Sequence, residues 1–161
     1  MSTPAETVGS TACPAPDVES ARTLAYGLTL PSALTSPAVA RAATRTVLAA
    51  HGLSALVDPA TQVVAELTAT AVQFDASAEV HVSLRFRDDS LHVVVLDCHP
   101  RHRHPRLVQA CDARRRSALR LLGRVVRACG GDCGFGEARE PGGGTRMWAT
   151  VPYGGGAAYG G

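Results

Sequence analysis

A short polar loop concentrates the side chains with the strongest affinity for metals. His99, His102 and His104 lie between Cys98 and Cys111, interleaved with arginine and proline. Imidazole nitrogens and thiolates are ligands that Zn²⁺ prefers. The spacing matches none of the standard zinc patterns, however. Two interpretations therefore stay open: a metal site, or a polar loop in which Cys111 begins the packing of the next helix.

A second pair of thiols, Cys129 and Cys133, spans a predicted helix end, a glycine turn and a strand start. This C-x₃-C pair indicates two buried thiols better than a redox centre. The chain has five cysteines, an odd number, and 161 residues. A chain of that length needs no disulfide to fold, so we expect reduced thiols and a cytoplasmic protein.

Two acidic residues stand in apolar surroundings. Glu66 lies within a segment of helical apolar periodicity, and Asp97 directly follows the apolar residues 93–96. Carboxylates in such places can act as general bases or accept hydrogen bonds from a ligand. The plainer alternatives are a solvated residue at the edge of the helix stripe for Glu66 and a strand-end turn former for Asp97.

Apolar periodicity predicts the elements that position these residues. A strand covers residues 26–30, one helix begins at Ser36-Pro37 and ends at Gly52, and a second begins at Asp58-Pro59 and ends near Phe74. Period-two alternation predicts a hairpin, with Asp88-Asp89 as its turn. The remaining predicted elements are the hairpin strands 79–87 and 91–97, a third helix at about 113–129, and strands 133–138 and 145–151.

This order of elements predicts the fold class. Helices bunched between hairpins indicate an α+β two-layer sandwich, with the helices on one face of a mainly antiparallel sheet. Arg115, Arg116, Arg120, Arg124 and Arg127 are expected largely on the outer face of the third helix. That face is either solvated surface or a docking surface for an acidic partner.

Composition predicts one globular domain between two tails. Residues 1–23 are rich in Ser, Thr, Pro and Ala and predict a disordered tail, residues 24–152 form the domain, and the Gly-rich residues 153–161 predict a flexible end. A net charge of +2 gives no argument for nucleic acid. No apolar run reaches the ~18 residues of a membrane span, and no secretory signal pattern begins the chain.

Three stretches carry a family resemblance. Glu66-Leu-Thr-Ala-Thr-Ala-Val72 resembles E-L-V-T-N-A-V, residues 93–100 resemble V-x-V-x-D-x-S-P, and residues 143–152 resemble G-G-T-x-V-W-x-x-x-P. These motifs are similar to those of the histidine kinase/gyrase/chaperone-type ATPase superfamily, the Bergerat fold. Within it they are closest to the stand-alone bacterial anti-sigma-factor serine kinases. The similarity covers about residues 26–152.

The resemblance implies a role for each matching residue. Glu66 would activate the attacking group, and Thr70 falls where an asparagine holds Mg²⁺. Asp97 would accept the adenine amino group, and Thr145 of the closing motif would add to the nucleotide contacts. The segment that cradles the phosphates falls on Arg116-Ser117-Ala118, where both family glycines are replaced.

These replacements predict a site that keeps its adenine end and loses its triphosphate end, because side chains obstruct the close approach that glycine permits. Arg115 or Arg116 could instead meet a phosphate by charge. Residues 98–117 would then form the mobile lid of the pocket.

The resemblance also implies a regulatory function. The expected protein binds ATP and Mg²⁺ and controls a sigma factor or an anti-anti-sigma-like antagonist by sequestration or serine phosphorylation. The alternative is a pseudo-kinase that binds its protein partner without nucleotide. Proteins of this kind often dimerise, so a homodimer is left open.

Overall fold

The computed structural model describes residues 21, 23–74, 79–139 and 143–154. Its strands are β1 (Ala25–Pro31), β2 (Glu79–Arg87), β3 (Ser90–Asp97), β4 (Asp132–Glu137) and β5 (Thr145–Pro152). Its α-helices are α1 (Ser36–Ala50), α2 (Val57–Phe74), α3 (Pro105–Ala118) and α4 (Arg120–Ala128), and a 3₁₀ turn at Ser54–Leu56 precedes α2. Most of the two predicted tails, residues 1–20 and 155–161, lies outside this described part.

The strands form one five-stranded sheet in the order β1-β2-β3-β5-β4, and every neighbouring pair is antiparallel. The hairpin of β2 and β3 turns at Asp88 and Asp89, both of which have positive φ. Asp97, the last residue of β3, is paired in register with Thr145, the first residue of β5. The predicted α+β two-layer sandwich is confirmed.

Alternation along the strands gives the sheet one buried face. Val80, Val82 and Leu84 of β2 are buried together with Val93 and Val95 of β3, while the intervening residues are exposed or half-buried. Helix α2 covers this face with a stripe that includes Val63, Val64, Leu67 and Ala71, each at most 1% exposed. Burying each such valine or leucine contributes about 1.5–3 kcal/mol, so this layer holds the end of β3 in place.

The third predicted helix differs from the observed structure at its start. We expected a polar loop as far as Asp112, but α3 already begins at Pro105. Proline suits the first helical position, and the His104 side chain caps the helix by accepting a hydrogen bond from the Arg106 amide. The helix is also interrupted at Leu119, whose φ and ψ are −91° and 0°, so α3 and α4 are separate helices.

The packed core begins earlier than the predicted boundary at residue 24. Ala21 is 2% exposed and Leu24 is 1% exposed, and both belong to the main apolar cluster. The Leu24 carbonyl also accepts a hydrogen bond from the Phe86 amide of β2. The chain is therefore anchored to the sheet edge just before β1.

Candidate functional site

Asp97 lies at the carboxyl end of β3 and faces the helices. It continues the buried alternation of Leu91, Val93 and Val95, and it is 3% exposed. Its Oδ1 atom accepts hydrogen bonds from the backbone amides of His99 (3.1 Å) and Thr145 (3.4 Å). The carboxylate is therefore buried and oriented by the first turn after β3 and by the start of β5.

The counter-ion of this carboxylate comes from α3. The Nη1 atom of Arg115 lies 2.7 Å from Asp97 Oδ2, and the side chains of both residues are 1% exposed. The Arg115 guanidinium stacks on the Phe74 ring, 3.7 Å from its centroid, and donates a hydrogen bond to Met147 Sδ at 3.5 Å. A complete arginine side chain thus fills the space beneath Asp97.

The pair is close but incompletely hydrogen-bonded. Among the described residues, neither Asp97 Oδ2 nor Arg115 Nη2 has a well-aligned hydrogen-bond partner, although the Arg115 Nη1 atom stands within ion-pair distance of Oδ2. The opposite charges attract each other at this short distance whatever the alignment of the N–H groups. The guanidinium compensates the charge of Asp97, and its buried Nη2 atom has no acceptor among the described residues.

Sequence reasoning missed this role of Arg115. We expected Arg115 on the outer face of its helix, and that expectation is wrong: the residue is 1% exposed. A signal was present, because Arg115 precedes the buried Leu119 by four residues and the buried Leu122 by seven. Residues at this spacing share one face of a helix.

The other predicted phosphate-contacting residues lie in a regular helix. Arg116, Ser117 and Ala118 are exposed and form the last turn of α3. In such a helix each backbone N–H donates to the carbonyl four residues earlier and is not free to cradle a phosphate. The start of α3, at Pro105, lies eleven residues before Arg116, and α4 begins only at Arg120, after these three residues.

Glu66 and Thr70 share one side of α2 but differ in exposure. Glu66 is exposed, and its Oε1 accepts a hydrogen bond from Gln62 Nε2 at 3.0 Å. Thr70 is 4% exposed, and its hydroxyl donates to the Glu66 carbonyl at 2.9 Å. Within the described part of the chain, no hydrogen bond or ion pair joins these two residues to Asp97, Thr145 or Arg115.

The segment predicted to be a mobile lid is attached at several points. Arg101 forms an ion pair with Asp112 of α3, at 3.3 Å. The His99 ring packs edge-on against Phe74, with 5.6 Å between the ring centroids, and Cys111 Sγ lies 3.7 Å from His99 Nε2. These contacts tie the turn after β3 to both α2 and α3.

The second thiol pair is suited to packing. Cys133 contacts the core, and burial raises the pKa of its thiol, with the Arg127 charge acting in the opposite direction. A raised pKa keeps the sulfur as an unreactive thiol. Cys129 and Cys133 are both free thiols, and each is half-buried rather than fully buried as we expected for this pair.

Comparison with known proteins adds no family assignment. Neither the family models nor the curated proteins match this chain. Across the described residues, no helix has the length and apolar character needed to cross a membrane.

Proposed function

We propose that this protein is a regulatory binding module of the kinase-type ATPase fold that controls a protein partner without requiring nucleotide. The observation that supports this proposal is the buried pair of Asp97 and Arg115. In proteins that the motifs resemble, the corresponding carboxylate receives the adenine amino group. Here the position opposite the carboxylate is taken by the chain's own guanidinium.

The energetics favour the internal ion pair over adenine. Removing one partner of a buried ion pair costs about 3–5 kcal/mol. A hydrogen bond from a neutral amino group to a carboxylate returns about 1.5–3 kcal/mol. Adenine would also have to displace the guanidinium from the Phe74 ring, where stacking adds to its hold. We therefore expect nucleotide to lose the competition with Arg115.

Calorimetric titration of the full chain tests the proposal. We expect no saturable binding of ATP, ADP or adenosine up to ~1 mM, with or without Mg²⁺, which corresponds to a binding free energy weaker than about −4 kcal/mol. Replacing Arg115→Met frees the carboxylate while keeping an apolar stem, and we expect it to create adenosine binding. Arg114→Met is the matched control, because Arg114 is exposed and lies farther from the Phe74 ring, at 4.9 Å.

If the Arg115→Met variant is too unstable for calorimetry, its melting temperature can be measured with and without adenosine, because a ligand that binds the native state raises the melting temperature. The proposal is supported if adenosine raises the melting temperature of the Arg115→Met variant but not that of the unaltered chain or of Arg114→Met. Micromolar binding of Mg-ATP by the unaltered chain would overturn it.

An arginine-lined cleft suits an acidic protein partner. The exposed Arg120, Arg124 and Arg127 of α4 line a cleft whose floor includes Phe135 and Trp148. Arginine and tryptophan are enriched among the residues that dominate binding energy at interfaces. The partner classes that the resemblance implies are a sigma factor and an anti-anti-sigma-like antagonist.

Binding of purified partners of these two classes tests the cleft. We expect the same affinity with and without Mg-ATP and a loss of at least about tenfold in the Arg120→Glu, Arg124→Glu double variant. Arg41→Glu with Arg45→Glu is the control, because both residues are exposed on α1. Equal losses in the two double variants would show that net charge, not the cleft, drives association.

A second candidate is an ATP-binding kinase-like regulator. It is favoured by the contact of Thr145 with Asp97, which brings together two residues of the expected nucleotide site, and by the exposed carboxylate of Glu66. Under this alternative, adenosine and ADP bind about as tightly as ATP, since Arg116 and Ala118 replace the phosphate-site glycines. Phosphotransfer is then slow or absent.

Restoring the family residues separates the two candidates. If the pocket accepts adenine, Arg116→Gly with Ala118→Gly and Thr70→Asn should introduce a preference for Mg-ATP over adenosine. Each glycine costs about 1 kcal/mol of helix stability, so the variant should fold. The same titration of this variant, checked by circular dichroism, measures the effect. A folded variant that still binds no nucleotide favours the nucleotide-independent module.

A further inference from the structure

Three soft side chains converge beside α3. His99 and His102 come from the turn after β3, and Cys111 comes from α3 itself. One ligand atom of each residue lies within 4.8 Å of the ligand atoms of the other two, and all three residues are half-buried. The sequence spacing left a metal site and a simple polar loop as alternatives, and the fold brings these three groups to one point.

The separations suit tetrahedral zinc. With Zn–N of about 2.05 Å and Zn–S of about 2.3 Å, a tetrahedral angle sets the N···S edge at about 3.6 Å. The distance from Cys111 Sγ to His99 Nε2 is 3.7 Å. The rings of His99 and His102 have centroids 5.1 Å apart and are T-shaped. All three ligand atoms lie within 4.8 Å of one another, and a tetrahedral zinc site would bring the two imidazole nitrogens to about 3.3 Å.

The surroundings hold these ligands in place. The His99 backbone amide donates to Asp97 Oδ1, and the Arg101–Asp112 ion pair fixes the loop against the residue that follows Cys111. A cavity of about 10 Å³ is lined by all three ligand residues. That is the space of about one water-sized sphere.

We propose that His99, His102 and Cys111 form a Zn²⁺ site with three protein ligands and water in the fourth position, which fastens the turn after β3 to α3. Two imidazoles and one thiolate match a borderline-soft divalent cation better than Mg²⁺, which prefers oxygen.

Metal titration of the full chain provides the test. The metal-free, reduced protein should bind one equivalent of Zn²⁺ in competition with a chromophoric chelator. Co²⁺ should give the intense visible bands of a tetrahedral site and a thiolate-to-metal charge-transfer band. We expect Cys111→Ser to abolish the charge-transfer band. We expect both Cys111→Ser and His102→Ala to lower the affinity for Zn²⁺ by at least about 100-fold.

Matched controls identify the ligands. Cys98→Ser changes the exposed thiol adjacent to His99, and Cys129→Ser changes a thiol beyond α4. Both should bind Zn²⁺ like the unaltered chain, as should Cys13→Ser, which alters the one cysteine outside the described residues. Circular dichroism confirms that each variant is folded. No stoichiometric Zn²⁺ binding by the reduced chain, or full affinity in folded Cys111→Ser, would overturn the proposal.

Discussion

Replacing Asp97 with asparagine is expected to lower the free energy of unfolding by about 3–5 kcal/mol, because it leaves the Arg115 guanidinium buried without a counter-ion. Both side chains are 1% exposed, so solvent cannot take over the role of the lost carboxylate. The family resemblance implied an adenine-accepting role for Asp97 and gave no indication of this buried counter-ion. Chemical denaturation of the two proteins measures the difference.

Asp112→Asn is the matched control for this substitution. It makes the same chemical change in an ion pair with Arg101 whose side chains are 30% and 21% exposed. Pairs of this kind contribute about 0–1 kcal/mol, so we expect little change in stability. A loss below about 1 kcal/mol for Asp97→Asn would mean that the pair is not buried in solution.

The double variant Asp97→Leu with Arg115→Met separates charge from packing. Replacing a whole buried ion pair by apolar residues of similar volume is often neutral or stabilising. We therefore expect it to recover most of the stability that Asp97→Asn loses. If the double variant is as unstable as the single one, the loss comes from disturbed packing around Phe74 and not from the unpaired charge.

Gly144→Ala is expected to cost about 2–6 kcal/mol. Gly144 has φ of +105°, a conformation that side chains rarely adopt, and such strain costs about 1–3 kcal/mol. A Cβ there would also overlap the carbonyl oxygen of Asp97, and overpacking of a close-packed site adds about 1–3 kcal/mol. Thermal and chemical unfolding of the variant measure the sum.

Gly136→Ala is the control for this second substitution. Gly136 lies in β4, and a Cβ built there meets no atom within 4 Å. Alanine in a strand is expected to be neutral or to stabilise by about 0.5–1 kcal/mol. Comparable losses in the two variants would show that the close approach of Gly144 to β3 is not maintained in solution.

The regular elements could be predicted because their patterns are local. Alternation along residues 79–97 and the apolar stripe of residues 57–74 each identify a face within a few residues. The start of α3 could not be read in this way, because residues 105–114 have no apolar stripe. That helix begins at a cap formed by the His104 side chain, and its Asp112 forms a partly exposed ion pair with Arg101.

The candidate site was predictable only in part for a similar reason. Asp97 and Thr145 could be found because each belongs to a motif of contiguous residues. Arg115 could not be distinguished from Arg114 and Arg116 by residue type, because the three arginines differ only in their position around the helix axis. Arg115 is the one whose position faces the core. The His99, His102 and Cys111 cluster arises from a turn and a helix that fold back on each other, and spacing along the chain does not encode that approach.

Cys111 and Arg115 are separated by four residues on α3, so they lie one turn apart on the same side of one rigid rod. If a metal bound at Cys111 holds α3 in the position where Arg115 reaches Asp97, the metal lowers the affinity for any ligand that displaces the guanidinium. That ligand must then lower the affinity for the metal by the same factor. The affinity for Zn²⁺ at Cys111 would then depend on whether a ligand has displaced Arg115, and the affinity for that ligand would depend equally on bound Zn²⁺.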